Sequence, residues 1–393
     1  MNLKRIDNAL RQYENILLAQ EQFRKRLGVQ EVDRPTYEKD IIGPIERFDR
    51  RRTAFVSLQP GNPYGEEYRQ RFKRLTGQSS YMTRLPYGQL SPEDRISASM
   101  EAAGIRLCTE YHPETLPVTP PEGRVEVDDK AVMSRLIKKA ALHFGAEMVR
   151  IAKLDQRWVY QDVEIPHKYV ILVAVSHVRA LNETAPSFLS GAAAADTYSR
   201  LKLITTQLAD FICQLGYEAQ YRETRGPKME MQMVPIAIDA GLGELARTGR
   251  VLSPEFGINM RLKGVTTDLP LKPDKPISFG VRDFCTACEN CATYCPANAI
   301  PYGPPTETPP TMHSNSGLRK WYIKADKCLI FWASKKNKWN TCGGRCIAVC
   351  PWNKPMVFTH NFVRWLAIHA PQGVKKMLAS ADKLFYGHKK SIQ

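Results

Sequence analysis

Long hydrophobic runs are missing from this chain of 393 residues. A membrane-spanning helix needs about 20 consecutive apolar residues, whereas the best run, Tyr169-Val-Ile-Leu-Val-Ala-Val175, has only the length of a strand. No membrane span is therefore expected. The opening residues, Met-Asn-Leu-Lys-Arg-Ile-Asp, lack an apolar h-region and a twin-arginine pair ahead of one, so no export signal is expected in this chain. Acidic residues are also in short supply, 40 against 56 Lys and Arg, which gives a formal charge of +16. Such a balance suits nucleic acid or an acidic partner. Here, however, the basic residues fall in short clusters, Lys4-Arg5, Arg50-Arg51-Arg52, Lys138-Lys139 and Lys335-Lys336, and form no stripe. Nucleic acid is not an expected partner. Gly241-Leu-Gly243 lacks the third glycine of a dinucleotide fingerprint, although these glycines could let a cofactor approach the backbone.

Cysteine is nearly absent from the first 284 residues, where only Cys108 and Cys213 occur, and both are expected to be buried thiols. Eight more then follow within 66 positions as Cys285-x2-Cys288-x2-Cys291-x3-Cys295-Pro296 and Cys328, Cys342, Cys346 and Cys350-Pro351. Three thiolates at this spacing wrap one cubane, and a fourth Cys before Pro turns away to serve a second. Crossed ligation assigns Cys285, Cys288, Cys291 and Cys350 to one 4Fe-4S cluster. Cys295, Cys328, Cys342 and Cys346 then hold the other. Zinc sites favour separate knuckles of paired cysteines, and disulfide scaffolds belong mainly to small secreted chains. One departure is Cys342-Gly-Gly-Arg-Cys346, which has C-x3-C where ferredoxins have C-x2-C. Two oxidised clusters carry about −2 each, so the loaded protein is less basic than its composition.

The length suggests two or three domains. Residues 2 to 27 place Leu3, Ile6, Leu10, Tyr13, Leu17 and Phe23 on one helical face ending at Gly28. Irregular, proline-broken text occupies 29 to 125, closing with a connector from Pro113 to Pro121. Asp128 or Asp129 caps a helix to Phe144, strands are expected at 146–151, 169–175 and 259–265, and a helix at about 192–215. Pro235 to Gly243 reads as a buried run, and 266 to 284 as an extended connector. Four tryptophans, Trp321, Trp332, Trp339 and Trp352, are expected to crowd the second cysteine motif. The tail suggests amphipathic helices docked through Phe362, Trp365, Leu366 and Leu378. The expected organisation is an N-terminal subdomain wrapping the core (1–125), an α/β (α+β) core (126–275), a ferredoxin-like two-cluster unit (276–352) and a helical tail (353–393).

Beyond the cysteines, the chain resembles the corrinoid-dependent reductive dehalogenases over most of its length. The resemblance is carried by Arg47-Phe-Asp-Arg50, Thr53-Ala-Phe55, Leu136-Ile-Lys-Lys139, Phe144-Gly-Ala146 and Ile151-Ala-Lys-Leu-Asp-x-Arg-Trp-Val-Tyr160. It continues through Tyr198-Ser199, Leu215-Gly-Tyr217, Ile238-Asp-Ala-Gly-Leu-Gly-Glu244, Pro254-Glu-Phe-Gly257, Thr267-Asp-Leu-Pro270 and Cys350-Pro-Trp-Asn353. It implies a nitroreductase-like core that binds a cobamide, either base-off cobalamin or a norpseudo-type corrinoid, across the region 169–265. No Asp-x-His-x-x-Gly motif is present to supply a lower histidine ligand. The resemblance also places the proton-donating tyrosine at Tyr198 and its basic partner at Arg261. The chemistry is sensible: an ordinary tyrosine, with a pKa of about 10, is a sluggish acid, and a neighbouring guanidinium stabilises its phenolate.

The activity so implied replaces a halogen of a small organohalide by hydrogen, as in anaerobic organohalide respiration. It needs an external electron donor. A membrane anchor protein and a homodimer are possible partners. A processed twin-arginine form would sit on the outer face of a membrane; otherwise the protein would be cytoplasmic. The family's Gly-Asn-Asp turn is replaced here by Arg222-Glu-Thr-Arg-Gly-Pro-Lys228, with Thr224 near the asparagine's position. Two alternatives stand beside this reading, an epoxyqueuosine reductase acting on tRNA and a non-catalytic iron-sulfur electron carrier. The first commonly continues its glycine turn as Gly-Trp-x-Gly-Lys-Asn, whereas this chain has Gly243-Glu-Leu-Ala-Arg-Thr-Gly249. The second leaves nearly 280 residues without a role.

Overall fold

The Tyr169–Ser176 strand is apolar on both faces, and Val170 through Val175 are wholly buried. A strand of that composition must be covered on both sides. In the computed structural model, which describes residues 4–79, 90–110, 123–224, 226–335, 337, 339, 341 and 344–386, it lies inside a four-stranded sheet. The order is Met148–Lys153, Tyr169–Ser176, Met260–Thr267 and Ala219–Tyr221, and every pairing is antiparallel. The α/β expectation thus takes its α+β form.

Alternation along the strands divides the core in two. On one face Ile151, Ile171, Val173, Val175 and Val265 pack against Leu136, Ile137, Leu201, Ile204 and Leu208 from two helices. On the other, Met148, Val170, Leu172 and Met260 meet Trp158, Ile236, Ile238 and Leu242. Arg261 lies opposite Val175 and Lys263 opposite Val173, so both basic residues share the face toward the helices.

Those helices begin at strong caps. Asp129 accepts from Ala131 N at 2.6 Å and Val132 N at 3.3 Å, starting Lys130–His143. Ser187 and Ser190 form a reciprocal capping box, which starts Phe188–Gln214 a turn before the expected residue 192. The N-terminal helix breaks at Leu10 into Lys4–Ala9 and Arg11–Leu27, and Gly28 (φ 81°) ends it.

Several expectations need correction. Residues 29–125 are not all irregular: Glu66–Thr76 and Pro92–Glu110 are helices. The first has few apolar anchors, chiefly Tyr68 and Phe72, and the second opens on a proline that suits a first helical turn. Pro92–Glu110 lies along Phe188–Gln214, where Gly104 O accepts from Ser199 Oγ at 2.6 Å. The Pro113–Pro121 connector falls outside the described residues. Within the expected run 235–243, Met233–Asp239 is helical, and Val281–Cys288 begins inside the expected connector.

The N-terminal segment is spread over both later parts. Gln30–Glu31 pairs with Ile277–Ser278, Tyr37 joins the second core face, and Phe72 packs with Leu329 and Ala333. The tail forms Phe358–His369 and Gln372–Tyr386, but Phe362 (54 % exposed) and Trp365 (42 %) stack on each other at the surface. Leu378 docks as expected, joined by Arg364, Ala367 and Ala379, and Arg364 donates to the backbone oxygens of Trp352 and Lys354. No helix among the described residues is long and apolar enough to cross a membrane.

Candidate active site

Tyr198, on the Phe188–Gln214 helix, faces the sheet, and Arg261 reaches toward it from the adjoining strand. The guanidinium carbon lies 4.7 Å from the ring centroid. The two residues expected as acid and partner are therefore in contact.

One helical turn further, Lys202 (1 % exposed) occupies the same face, and two strand positions beyond Arg261 stands Lys263 (4 %). Both ammonium groups pair with Glu223, Lys263 at 3.3 Å, and both lie over the Tyr221 ring at 4.6 and 5.0 Å. Burial alone would raise the Glu223 carboxyl, but the two lysines outweigh it and hold it below the usual range. Beside this layer His177 ends the Tyr169–Ser176 strand. Burial, reinforced by Arg261 and Arg250, pushes its imidazole down to about 2, so it is neutral.

Glu223 also begins the loop that departs from the expected Gly-Asn-Asp turn. Arg222 donates to Glu230 at 2.9 Å, and Glu223 N to Glu230 at 2.7 Å, so ion pairs and backbone bonds pin both ends. Arg225 lies outside the described residues. Thr224 then lines an open cleft of about 360 Å³, together with Tyr37, Trp158, Met231, Leu318 and Trp321. Just behind the cleft wall, Tyr37 donates to Asp239 at 2.6 Å. Burial pushes the Asp239 carboxyl up to about 7, against the lowering effect of that bond.

The segment 245–249 separates this cleft from a second cavity. Leu245 and Gly249 face the cleft, whereas Ala246, Arg247 and Thr248 face the cavity. Around that cavity stand Cys285, Cys288, Cys291 and Cys350, the four assigned to one cluster. Their thiols are buried, which pushes Cys285 up to about 11 and Cys288 to about 12; burial and the adjoining sulfurs raise Cys291 and Cys350 too. Neutral thiols are the rule in such surroundings, and a bound iron centre supplies the charge that makes them thiolates. The buried Thr248 hydroxyl in this cavity has no hydrogen-bond partner among the described residues, as suits a group waiting for a cluster sulfide. The residues present fit a 4Fe-4S cluster.

Of the second set, Cys295 and Cys346 are near enough for one to raise the other, after burial. Cys295 Sγ accepts from Ala299 N at 3.4 Å, and Cys328 lies in Ala325–Ala333. Cys342 falls outside the described residues. The tryptophans do not all crowd this set: Trp352 lines the first cavity with Phe284, Trp321 lines the cleft, and Trp332 packs on Phe55. Cys213 is buried, and the side chain of Cys108 is outside the described set.

Arg247 was missed in the sequence, as were Lys202, Glu223, Lys263, Asp239 and Lys320. Arg247 (1 % exposed) donates to the carbonyls of Cys285, Pro301 and Gly303. Charged residues at apolar positions, such as Lys202 four after Tyr198, were the available signal.

Comparison with known proteins bears on the same elements. Residues 147–271 match the reductive dehalogenase subunit family, and residues 284–354 match the 4Fe-4S dicluster domain. The tetrachloroethene reductive dehalogenase of Sulfurospirillum multivorans is 31 % identical over 88 % of this chain and 81 % of its own length. That of Desulfitobacterium hafniense is 30 % identical over 60 % of this chain and 51 % of its own. Among solved structures, a catabolic reductive dehalogenase superposes with a TM-score of 0.73 at 23 % identity, over 92 % of this chain and 49 % of that one. Another, described in terms of B12-dependent dehalogenation, gives 0.71 at 22 %, over 91 % and 48 %. The chain thus spans about half the length of these solved structures. An epoxyqueuosine reductase of Bacillus cereus is a more distant relative, 29 % identical over 31 % of this chain. With a curated relative aligned along most of both chains and the family's own sequence pattern lying over the sheet that carries Arg261, the chain belongs to the reductive dehalogenase family of oxidoreductases.

Proposed function

We propose that this protein reduces a small organohalide, R–X + 2 e⁻ + H⁺ → R–H + X⁻, with Tyr198 as the proton donor. The observation that carries the reading is the shared wall at 245–249, with the aromatic cleft on one side and four cysteines on the other. A cobamide, cobalamin or a norpseudo-type corrinoid, would supply a reduced cobalt centre for carbon–halogen cleavage. Tyr37, Trp158, Met231 and Trp321 are the cleft residues that would hold it, and no histidine is among the described lining residues.

The chain's own residues then have separate tasks. Tyr198 holds the proton at its phenol oxygen, and Arg261 faces the ring on which negative charge develops when it leaves. Glu223 neutralises one of the two ammonium charges behind them and fixes the loop carrying Thr224. Cys285, Cys288, Cys291 and Cys350 hold one 4Fe-4S cluster, and Cys295, Cys328, Cys342 and Cys346 the other. Electrons come from an external donor. The short wall at 245–249 stands between the cysteine-lined cavity and the cleft.

Anaerobic reconstitution with iron, sulfide and cobalamin tests this reading. About eight irons and one cobalt per chain are expected, with halide release from chlorinated or brominated ethenes or phenols. Loss of that release in Tyr198→Phe, at unchanged metal content, supports the acid. Metal loading without halide release from any member of the panel overturns the activity.

A further inference from the structure

The cleft that faces the 245–249 wall is lined by aromatic, apolar and neutral polar side chains with one charged exception, Lys320. No ion-pair partner for Lys320 occurs among the described residues. Its ammonium stands 4.9 Å from the Tyr322 ring centroid, which offsets only part of the cost of leaving water. Desolvation is the one influence on it and pushes it down to about 8, so no carboxylate compensates the charge. Lys320 also borders another pocket with Asp40, Glu244 and Asp283, none of which pairs with it. A half-buried cation at the edge of a neutral cleft without a compensating carboxylate calls for an anion brought by the occupant.

A cobamide carries one such anion. Its corrin ring has neutral amide side chains, and its nucleotide loop holds a phosphodiester. In the base-off form the loop and its base leave the cobalt and need their own place in the protein. The Tyr37, Trp158 and Trp321 rings offer aromatic surface for a base, and Ser314 and Asn315 are neutral hydrogen-bonding residues of the same lining.

Resting on the corrinoid reading above, we infer that Lys320 receives the phosphodiester of the cobamide's nucleotide loop and so makes this cleft selective for complete cobamides. The cluster-reconstituted 393-residue chain is titrated anaerobically with cob(II)alamin and, separately, with cobinamide, which keeps the corrin ring but lacks phosphate and base. Binding is followed by visible absorbance and electron paramagnetic resonance. Lys320→Gln is expected to weaken cobalamin binding about tenfold or more, leave cobinamide binding unchanged and lessen the salt dependence of cobalamin binding. Lys320→Arg is expected to restore it. Iron content and far-ultraviolet circular dichroism confirm that each variant is folded. Equal weakening of both ligands, or no weakening of either, overturns the assignment of Lys320. Failure of the parent protein to bind either ligand overturns the corrinoid reading itself, and the assignment with it.

Discussion

The guanidinium of Arg247 lies 4.5 Å from the centroid of the Trp321 ring, and its nitrogens bond the carbonyl of Cys285 at 2.9 and 3.1 Å. One side chain thus joins an aromatic wall of the cleft to the backbone of Cys285, one of the four cysteines around the second cavity. Arg247→Met removes the donor from three carbonyl oxygens and is expected to destabilise the protein by about 3 kcal/mol. Anaerobic urea unfolding measures this, and a parental midpoint would show that Arg247 anchors nothing.

Tyr198→Phe is expected to lower halide release by about 10²- to 10⁴-fold, the usual contribution of a positioned acid, with iron and cobalt content unchanged. Arg261→Leu should lower it in the same assay, because the charge facing the ring is gone. Parental rates in the tyrosine variant would transfer the acid role elsewhere.

Arg24 carries the N-terminal helix onto the core. Its Nε pairs with the buried Glu255 at 2.6 Å, and its Nη1 donates to Gly241 O at 2.7 Å. Arg24→Met leaves Glu255 as an unpaired buried charge, and a loss of about 3–5 kcal/mol is expected. Replacing both partners with apolar residues of similar volume should cost less, which a double-mutant cycle would detect.

Asp239 gives stability a definite pH dependence. Its carboxyl rises to about 7 in the folded protein, chiefly through burial. The folded state therefore holds this proton more tightly than the unfolded chain, and the stabilisation is complete below about pH 4. It is lost as pH rises toward 7, by about 4 kcal/mol in all. Asp239→Asn should flatten this part of the stability profile, and an unchanged slope would assign it to another group.

That Cys285, Cys288 and Cys291 gather at one cavity with Cys350 was legible because their spacing is a local property that sets three sulfurs on neighbouring turns. Tyr198 and Arg261 came from the family resemblance, since a tyrosine on an apolar helix face carries no local mark of function. The Lys202, Glu223 and Lys263 layer escaped notice because its members come from a helix, a loop and a strand. Lys320 was equally hidden, as only the folded cleft reveals that it is the one charged side chain in that lining.

By itself the sequence determined the features that neighbouring residues enforce. An aspartate at 128 or 129 caps a helix, which the structure resolves to Asp129, Gly28 ends one, and an uninterrupted apolar run becomes the buried Tyr169–Ser176 strand. Tertiary structure alone decided the antiparallel order of the sheet, the docking face of the tail and the positions of Trp321, Trp332 and Trp352. It also set residues 245–249 between the cleft and the cysteine-lined cavity. Local hydrogen bonds close within a few residues, so their partners are written side by side. The wall and its charges depend on contacts such as Arg247 with Pro301 and Arg24 with Glu255, whose favourable burial appears only when distant segments share one desolvated space.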